Sequence, residues 1–560
     1  NYQINKDWEV HGFLREEYFN QYAQYNSEST NGGLIVPNQF FIKNSKQQAS
    51  FNAYKFNTKR IVSTIFMIGT SWKNQLFLDI TGRNDWSSAL VYSYGTGNFS
   101  YFYPSVSGSW IITETFKDKL PKWVSFAKVR GSWAQVGNDT SPYYINSGYS
   151  VATYQRGDKK IYGMTIPENM KSTNLKPERK NAWEVGLDWR FLDSRIGVDL
   201  TYYKENTRNQ IMTINVPWES GVKEKLINAG NIQNSGIEIA LNTTPIKKKQ
   251  WQWDLNFTYT RNRNKIVELS PDVTSYINLD GAANYGNYRI ASVAKVGSDY
   301  GMLMSDSWIK TDEKTGKPVV GYTNKFRTVY YKRGGTVKEV GSMLPNFLGS
   351  LNSTLRWKDL SLYVLFDARF GGYVASYNSR YATAYGFSGE TEKYRKGMTW
   401  TSKYANAQDK VFTDGFIPDV VFDAGTIVTT PGGTNQDVSG MTYQEAYEKG
   451  YVEPAHLQSA AYFKNSWGTG VINDDWFKKI NYIALREITL SYNVPTKICS
   501  YIGAKNLSLS FTGRNLAYLL NTAPNHENPE SVRGTGAAQF RMRSFMPYTA
   551  SYLFTLNATF

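Results

Sequence analysis

The sequence predicts an all-β chain, the wall of a transmembrane antiparallel β-barrel. Three observations predict it. Apolar residues recur at every second position in many separate stretches, the pattern of a strand with one apolar and one polar face. The connections between these stretches alternate between short and long. Aromatic residues make up 15% of the chain, with 41 Tyr, 29 Phe and 16 Trp, and many fall on predicted strands or near their ends.

In chain order, the alternation begins clearly at Leu76, Leu78 and Ile80, which take turns with Gln75, Phe77, Asp79, Thr81 and Arg83. Ile196, Val198, Leu200 and Tyr202 alternate with Arg195, Gly197, Asp199 and Thr201. Leu255, Phe257 and Tyr259 follow the same rule, as do Leu360, Leu362, Val364 and Phe366, then Leu507, Leu509 and Phe511. The final stretch carries Tyr552, Phe554, Leu556, Ala558 and Phe560 on one side and Ser551, Thr555, Asn557 and Thr559 on the other. About fourteen strands are expected at the length that spans a bilayer when tilted. Their spans are 9–22, 58–71, 73–84, 101–113, 123–137, 179–192, 195–211, 231–245, 250–266, 343–357, 359–373, 476–494, 504–517 and 546–560. Helical periodicity is confined to short pieces such as Tyr443 to Lys449.

The short connections are Ser71 to Lys73, Asp193 to Arg195, Ile246 to Lys249 and Lys358 to Asp359, with Pro121 and Pro495 in two somewhat longer ones. The long ones are 85–100, 138–178, 212–230, 267–342, 374–475 and 518–545. A meander with its long loops at one end is the pattern of an outer-membrane barrel, with tight periplasmic turns and long outer loops. A sandwich would have short turns at both ends. Trp110, Trp123, Trp133, Trp183, Trp189, Trp251, Trp253 and Trp357 suit the aromatic girdles of such a barrel.

Composition narrows the function. Lys plus Arg number 63 against 47 Asp plus Glu, a net charge of +16. These charges are scattered, and the longest basic run is Lys247-Lys248-Lys249, so nucleic acid is not an expected partner. The single cysteine, Cys499, allows no intrachain disulfide. Three widely spaced histidines, His11, His456 and His526, leave little material for a metal centre or a catalytic dyad, and no enzyme activity or cofactor is expected. Mean hydropathy is −0.48, which suggests a soluble chain by window analysis but fits a barrel, where every second strand residue is polar.

A series of short motifs then appears in a fixed order. It runs from Gly82-Arg83-Asn84-Asp85-Trp86-Ser87-Ser88 and Tyr103-Pro104-Ser105-Val106-Ser107, through Arg130-Gly131-Ser132, Asn174-Leu175-Lys176-Pro177-Glu178 and Trp183-Glu184-Val185-Gly186-Leu187. It continues with Asn228-Ala229-Gly230, Asn234-Ser235-Gly236-Ile237-Glu238, Leu485-Arg486-Glu487-Ile488-Thr489-Leu490-Ser491-Tyr492, Gly513-Arg514-Asn515-Leu516 and Asn528-Pro529-Glu530. In these motifs the chain resembles the SusC/RagA family of TonB-linked outer-membrane transporters. The resemblance implies a barrel of 22 strands with a plugged lumen, of which residues 1–560 would be the C-terminal portion, starting at roughly the ninth strand. The N-terminal plug and first strands would precede it. It further implies energised import of nutrient oligomers, glycan oligosaccharides first and oligopeptides second. Implied partners are a SusD-like surface lipoprotein over the outer loops, the TonB-ExbB-ExbD machinery acting through the plug, outer-membrane lipid, and a second transporter–lipoprotein pair. The C-terminus would be periplasmic, with Phe560 resembling the assembly signal of outer-membrane barrels. A passive outer-membrane channel is the rival reading.

Two sets of residues are candidates for function. Asp79, Arg83, Asp85, Asp367 and Arg369 fall on lumen-facing or loop-proximal positions; the preferred expectation is a polar lumen wall of paired charges, with contact to plug or substrate as the alternative. Tyr285, Tyr288, Tyr381, Tyr385, Trp400 and Tyr404 lie in the two longest loops, where flat rings among amide and hydroxyl groups suit sugar rings or extended peptides. Packing of these loops on one another or on a lid is the competing expectation. Asp414, Asp419, Asp423, Asp474 and Asp475 share one loop, but their spacing fits no calcium-binding hand.

Overall fold

The computed structural model describes residues 1–53, 57–117, 119–216, 218–270, 273, 276–279, 284–285, 288–306, 308–392, 397–456, 472, 477–532, 540–542 and 547–560. Fourteen strands carry the pattern read from the sequence. They are β1 (Trp8–Ala23), β2 (Asn57–Trp72), β3 (Leu76–Ser87), β4 (Ser100–Ile111), β5 (Val124–Asn138), β6 (Glu178–Phe191) and β7 (Ile196–Asn215). Then follow β8 (Glu224–Lys247), β9 (Trp251–Glu268), β10 (Phe347–Trp357), β11 (Leu360–Ser376), β12 (Phe477–Asn493), β13 (Asn506–Asn521) and β14 (Ser551–Thr559). The chain divides into two compact units, residues 1–236 with 266–274 and residues 237–265 with 275–560.

In the first unit, β1 to β7 form one antiparallel ladder, each strand paired with the next in sequence. Register aligns the apolar positions. Ile68 lies opposite Ile80, and Ile80 opposite Val106; all three are exposed. Trp133 lies opposite Trp183, and Val185 opposite Tyr202. An exposed row of Ile, Val, Trp and Phe would be a liability in water, but it is the lipid-facing band of a membrane barrel. Between these positions, Ser63, Asp79, Thr81, Arg83, Asp85 and Ser87 point to the polar face. Aromatic residues mark the short-turn end, where Trp8 packs on Trp72 at 6.4 Å and Trp123 on Phe191 at 5.5 Å. A second row, Trp86, Trp133 and Trp183, lies toward the long-loop end. Leu76 and Trp86 are 86 − 76 = 10 residues apart on β3, about the length of a bilayer crossing by a tilted strand.

The second unit repeats the arrangement. β9 to β14 pair in sequence order, antiparallel throughout. Trp251 faces Trp357 across β9 and β10, with stacked rings 5.7 Å apart at the short-turn end. In β14, Tyr552, Phe554, Leu556 and Ala558 continue the apolar row of Gly513, Phe511, Leu509 and Leu507. The period-two pattern thus runs to the last strand, and every residue of β14 is exposed.

The long connections gather at one end of each ladder. One more of them exists than the sequence suggested: residues 24–56 carry a hairpin, Asn26–Leu34 against Ser45–Ala53. The connection after β7 is shorter than expected, because β8 starts at Glu224. β8 is 24 residues long, and at about 3.3 Å per residue it reaches far beyond a hydrocarbon layer about 30 Å thick.

Residues 319–331 and 416–455, from the two longest connections after β9 and β11, fold together into a module with its own core. Val320, Val329, Phe416, Val420, Phe422, Val428, Val438, Tyr443, Ala446, Val452 and Ala455 are buried there. A helix, Tyr443–Glu448, closes it. Thr442 caps that helix and Glu445 returns a bond to the Thr442 backbone, a capping box.

Candidate functional site

The polar faces carry the charged groups expected to line a passage. In the first unit, Arg83 is the hub. Its Nε donates to Asp85 at 2.7 Å, Nη1 to Glu17 at 3.1 Å and Nη2 to Ser63 at 2.8 Å. β1, β2 and β3 each supply a partner, so the guanidinium ties three adjacent strands together. Asp79 lies 3.7 Å from His11, and Gly69 leaves the space: a Cβ there would come within 2.3 Å of the His11 ring. Toward the long-loop end, Asp139 accepts from Lys59 and from Ser87. A polar cavity of about 540 Å³ opens at this point, lined by Gln21, Asn57, Lys59, Asn138, Asp139 and Tyr144 among others. Further along, Arg130 donates to both oxygens of Asp199 at 3.1 Å and to Thr201 at 2.6 Å. Gly186, directly opposite Arg130, makes room for that side chain.

In the second unit, the hub is Arg486. It sits in a β-bulge: Leu365 pairs with Glu487 and Phe366 with Leu485, leaving Arg486 as the extra residue. A bulge re-aims a side chain. Here Arg486 donates to Asp367 at 2.7 Å and, with two nitrogens, to both oxygens of Glu530 at 2.6 Å. Tyr518 and Tyr482 both donate to Glu530, at 2.7 Å and 3.3 Å respectively. Beside this cluster Arg514 donates to Glu487 at 2.8 Å. Arg369 lies apart from these pairs, donating to the carbonyls of Met343 at 3.2 Å and Gly371 at 3.4 Å.

Arg83 and Asp85 thus meet. Asp79 pairs with histidine, Asp367 pairs with Arg486 rather than Arg369, and Glu17, Ser63, Arg486 and Glu530 are partners that sequence reading did not single out for this role. Arg486 and Glu530 did lie inside motifs of the series. The bulge breaks the alternation at Arg486, which hides its side.

The loop aromatics divide. Tyr381 and Tyr385 are exposed. Trp400 is half-buried, stacked on Phe412 at 5.1 Å and donating from Nε1 to Glu453 at 3.1 Å. Tyr404 is inside the loop module, only 8% exposed, with the Arg327 guanidinium 5.0 Å from its ring. Burial raises the hydroxyl pKa of Tyr404, and that of fully buried Tyr443 far above its ordinary value. Tyr285 and Tyr288 pair through their backbones in a hairpin; their side chains lie outside the described residues.

The loop carboxylates are spoken for. Asp414 meets His456 at 3.0 Å, and Asp419 meets Lys317 at 2.7 Å. Asp423 lies 2.7 Å from Lys310 and 3.5 Å from Lys332. Burial opposes ionisation of Asp423, but the lysines together outweigh it and hold its carboxyl below the usual range. Asp474 and Asp475 lie outside the described residues. No group of three or more His, Cys, Asp or Glu that could hold a metal occurs among the described residues.

A ladder with an apolar outer row, aromatic belts, ion-paired polar face and long loops at one end defines the wall of a membrane β-barrel. No helix among the described residues is long and apolar enough to cross a membrane, which says nothing of crossing by strands. Residues 1–323 match the family model described as TonB dependent receptor-like, beta-barrel. The chain belongs to this TonB-dependent receptor β-barrel family, a family of outer-membrane transporters. It is 23% identical over 486 residues to TonB-dependent receptor P26 of Formosa agariphila, covering 85% of this chain and 43% of that protein. It is 28% identical over 270 residues to TonB-dependent receptor SusC of Bacteroides thetaiotaomicron, 46% of this chain and 26% of that one. The fold is similar to that of a solved RagAB peptide transporter chain, with a TM-score of 0.68 at 15% identity over 100% of this chain and 54% of the other. The chain therefore spans about half the length of the RagAB chain and less than half that of the curated relatives it matches.

Proposed function

We propose that the chain forms much of the wall and outer loops of a SusC/RagA-type importer that carries nutrient oligomers across the outer membrane. The observation that carries this reading is the family match, on a ladder whose outer row is apolar and whose polar face is lined with paired charges. The polar face lines the passage. The loop module stands at its outer mouth, where a SusD-like lipoprotein would cover it, and TonB-ExbB-ExbD would supply energy through a plug. The short-turn end, and with it the C-terminus, would face the periplasm, and two such assemblies would pair.

Glycan oligosaccharides are the first proposed cargo. Exposed Tyr381 and Tyr385 offer faces on which sugar rings stack, among amide and hydroxyl groups that bond to their hydroxyls. Oligopeptides are the second, in line with the peptide transport printed for the RagAB structure. The paired charges of the polar face favour a cargo without strong net charge, since Arg83, Arg130, Arg486 and Arg514 are each bonded to a carboxylate. Asp79, Arg83, Asp85, Asp367 and Arg369 then act as wall, and Tyr381, Tyr385 and Trp400 as contacts of the outer loops.

Uptake of labelled oligosaccharides and oligopeptides by cells with and without the intact gene tests the reading. Loss of glycan uptake on disruption is the expected result. Loss of peptide uptake alone would reassign the cargo, and unchanged uptake of both would sink the importer reading. Co-purification of a surface lipoprotein with the tagged transporter is expected.

A further inference from the structure

Three motifs of the series converge on one place. Arg486 and Glu487 come from the β12 motif, Arg514 from β13, and Glu530 from Asn528-Pro529-Glu530. Their bonds show that the segment after β13 does not rise away from the ladder but lies down along its polar face. Asp367 marks that face, because its neighbour Phe366 pairs with Leu351 in the apolar row. Glu530 reaches Arg486 at the level of Asp367, while Glu527 accepts from Ser376 at 2.8 Å, at the far end of β11. Asn525 donates to Ser379 at 3.3 Å. Val532 packs against the Val374, Ile480 and Tyr482 cluster. Pro524 and Pro529 are buried. The segment is thus fastened at both ends.

Within the fastened segment stands a strained turn. Asn525 and His526 are consecutive non-glycine residues in the left-handed region, with φ of 52° and 54°. Such backbone persists where the surroundings over-determine it, and it clusters at active sites, ligand clamps and switch regions. The side chain held here is His526, which is exposed and makes no bond through its ring among the described residues. An imidazole both donates and accepts hydrogen bonds, the pairing that a row of hydroxyl groups offers.

We propose that residues 522–532 form a flap pinned to the polar face by Arg486, and that it holds His526 out as a binding, specificity-determining residue for a hydroxyl-bearing oligomer in transit. Arg486 is then a positioning residue. The cargo half of this inference rests on the importer reading above; the pinning does not.

The test uses the full-length transporter in its outer membrane, with two readouts. The first is the rate at which a membrane-impermeant maleimide labels the Ser531→Cys variant. The second is the KM and maximal rate of uptake for a panel of oligosaccharides. His526→Ala is expected to raise KM about fivefold, the worth of one hydrogen bond, with the maximal rate and labelling unchanged. Arg486→Gln is expected to raise KM and to speed labelling about tenfold or more. Glu530→Gln, which keeps the shape of the cluster, should do the same more weakly. Heat-modifiable migration on gels verifies that each barrel has folded. Wild-type KM in His526→Ala for every oligomer that is imported would overturn the role of His526. Unchanged labelling in both Arg486→Gln and Glu530→Gln would overturn the pinning. A wild-type protein that imports none of the panel would overturn the importer reading and the role of His526 with it, while the labelling would still decide the pin.

Discussion

Replacing Arg486 by Gln should loosen residues 528–532 without unfolding the wall. Among the described residues Arg486 alone bonds to both Asp367 and Glu530, so its loss leaves two carboxylates facing each other across a partly buried site. Breaking a fully buried pair by removing one partner costs about 3–5 kcal/mol. Here the side chains of Arg486, Asp367 and Glu530 are 20%, 35% and 40% exposed, and water screens part of that cost. A value of about 2 kcal/mol is reasonable, which is roughly a thirtyfold change in the local opening equilibrium. Native-state hydrogen exchange reads it directly. The amides of Glu530, Ser531 and Val532 bond to Asn528 Oδ1, Asn528 O and Glu530 O, so their protection should fall by about that factor. Strand amides of β11 and β12 should keep theirs. Pairing Arg486→Gln with Glu530→Gln should cost less than the sum of the two, because the second change removes the carboxylate stranded by the first. Protection within twofold of wild type at those three amides would refute the reasoning. So would an equal loss across β11 and β12, which would make Arg486 a support of the whole wall.

Ile80→Lys places a charge in the middle of the apolar row and should cost about 2–4 kcal/mol of assembly in the membrane; Thr81→Lys, one residue away on the polar face, should be tolerated, and the heat-modifiable fraction on gels separates them. Tyr443→Phe removes the 2.8 Å bond to the Glu453 carbonyl in a fully buried site. It should weaken the loop module by about 1 kcal/mol, read as faster exchange over 416–455. Burial raises the Glu527 carboxyl from 4.5 to about 7, against a smaller lowering by the Ser376 bond. The folded segment therefore holds this proton more tightly than the open one. Its docking is firmest below pH 4.5 and weakens as pH rises toward about 7. Exchange over 522–527 should speed up across that window in wild type and stay flat in Glu527→Gln.

The wall was legible in the sequence because a bilayer imposes a strict rule. Leu76, Leu78 and Ile80 must face lipid while Phe77, Asp79 and Thr81 face the other way, so period two survives along each crossing. Strand ends were less legible for the same reason. Beyond the bilayer no lipid imposes period two, and Glu224-Lys225-Leu226-Ile227-Asn228 extends β8, with Leu226 buried in a local cluster, without an alternation to betray it. The hairpin over 26–53 was missed because its strands are almost wholly polar, Asn26-Ser27-Glu28-Ser29-Thr30 among them. Within the candidate site, Arg83 and Asp85 were legible because they sit two apart on one strand and so share a face. Arg486, Asp367 and Glu530 come together from residues 119 and 44 apart in the chain, through a bulge that no periodicity marks. Loop composition told of aromatic surface but not of its direction. Tyr404 turned inward because Arg327, from a different loop, covers its ring.

The central claim is that this wall belongs to an energised importer. Uptake of a labelled oligosaccharide tests it most directly, measured in otherwise identical cells with and without TonB. Uptake that depends on the transporter gene and disappears when TonB is removed is the predicted result. Gene-dependent uptake that continues at the same rate without TonB would contradict the account and leave a passive channel in its place.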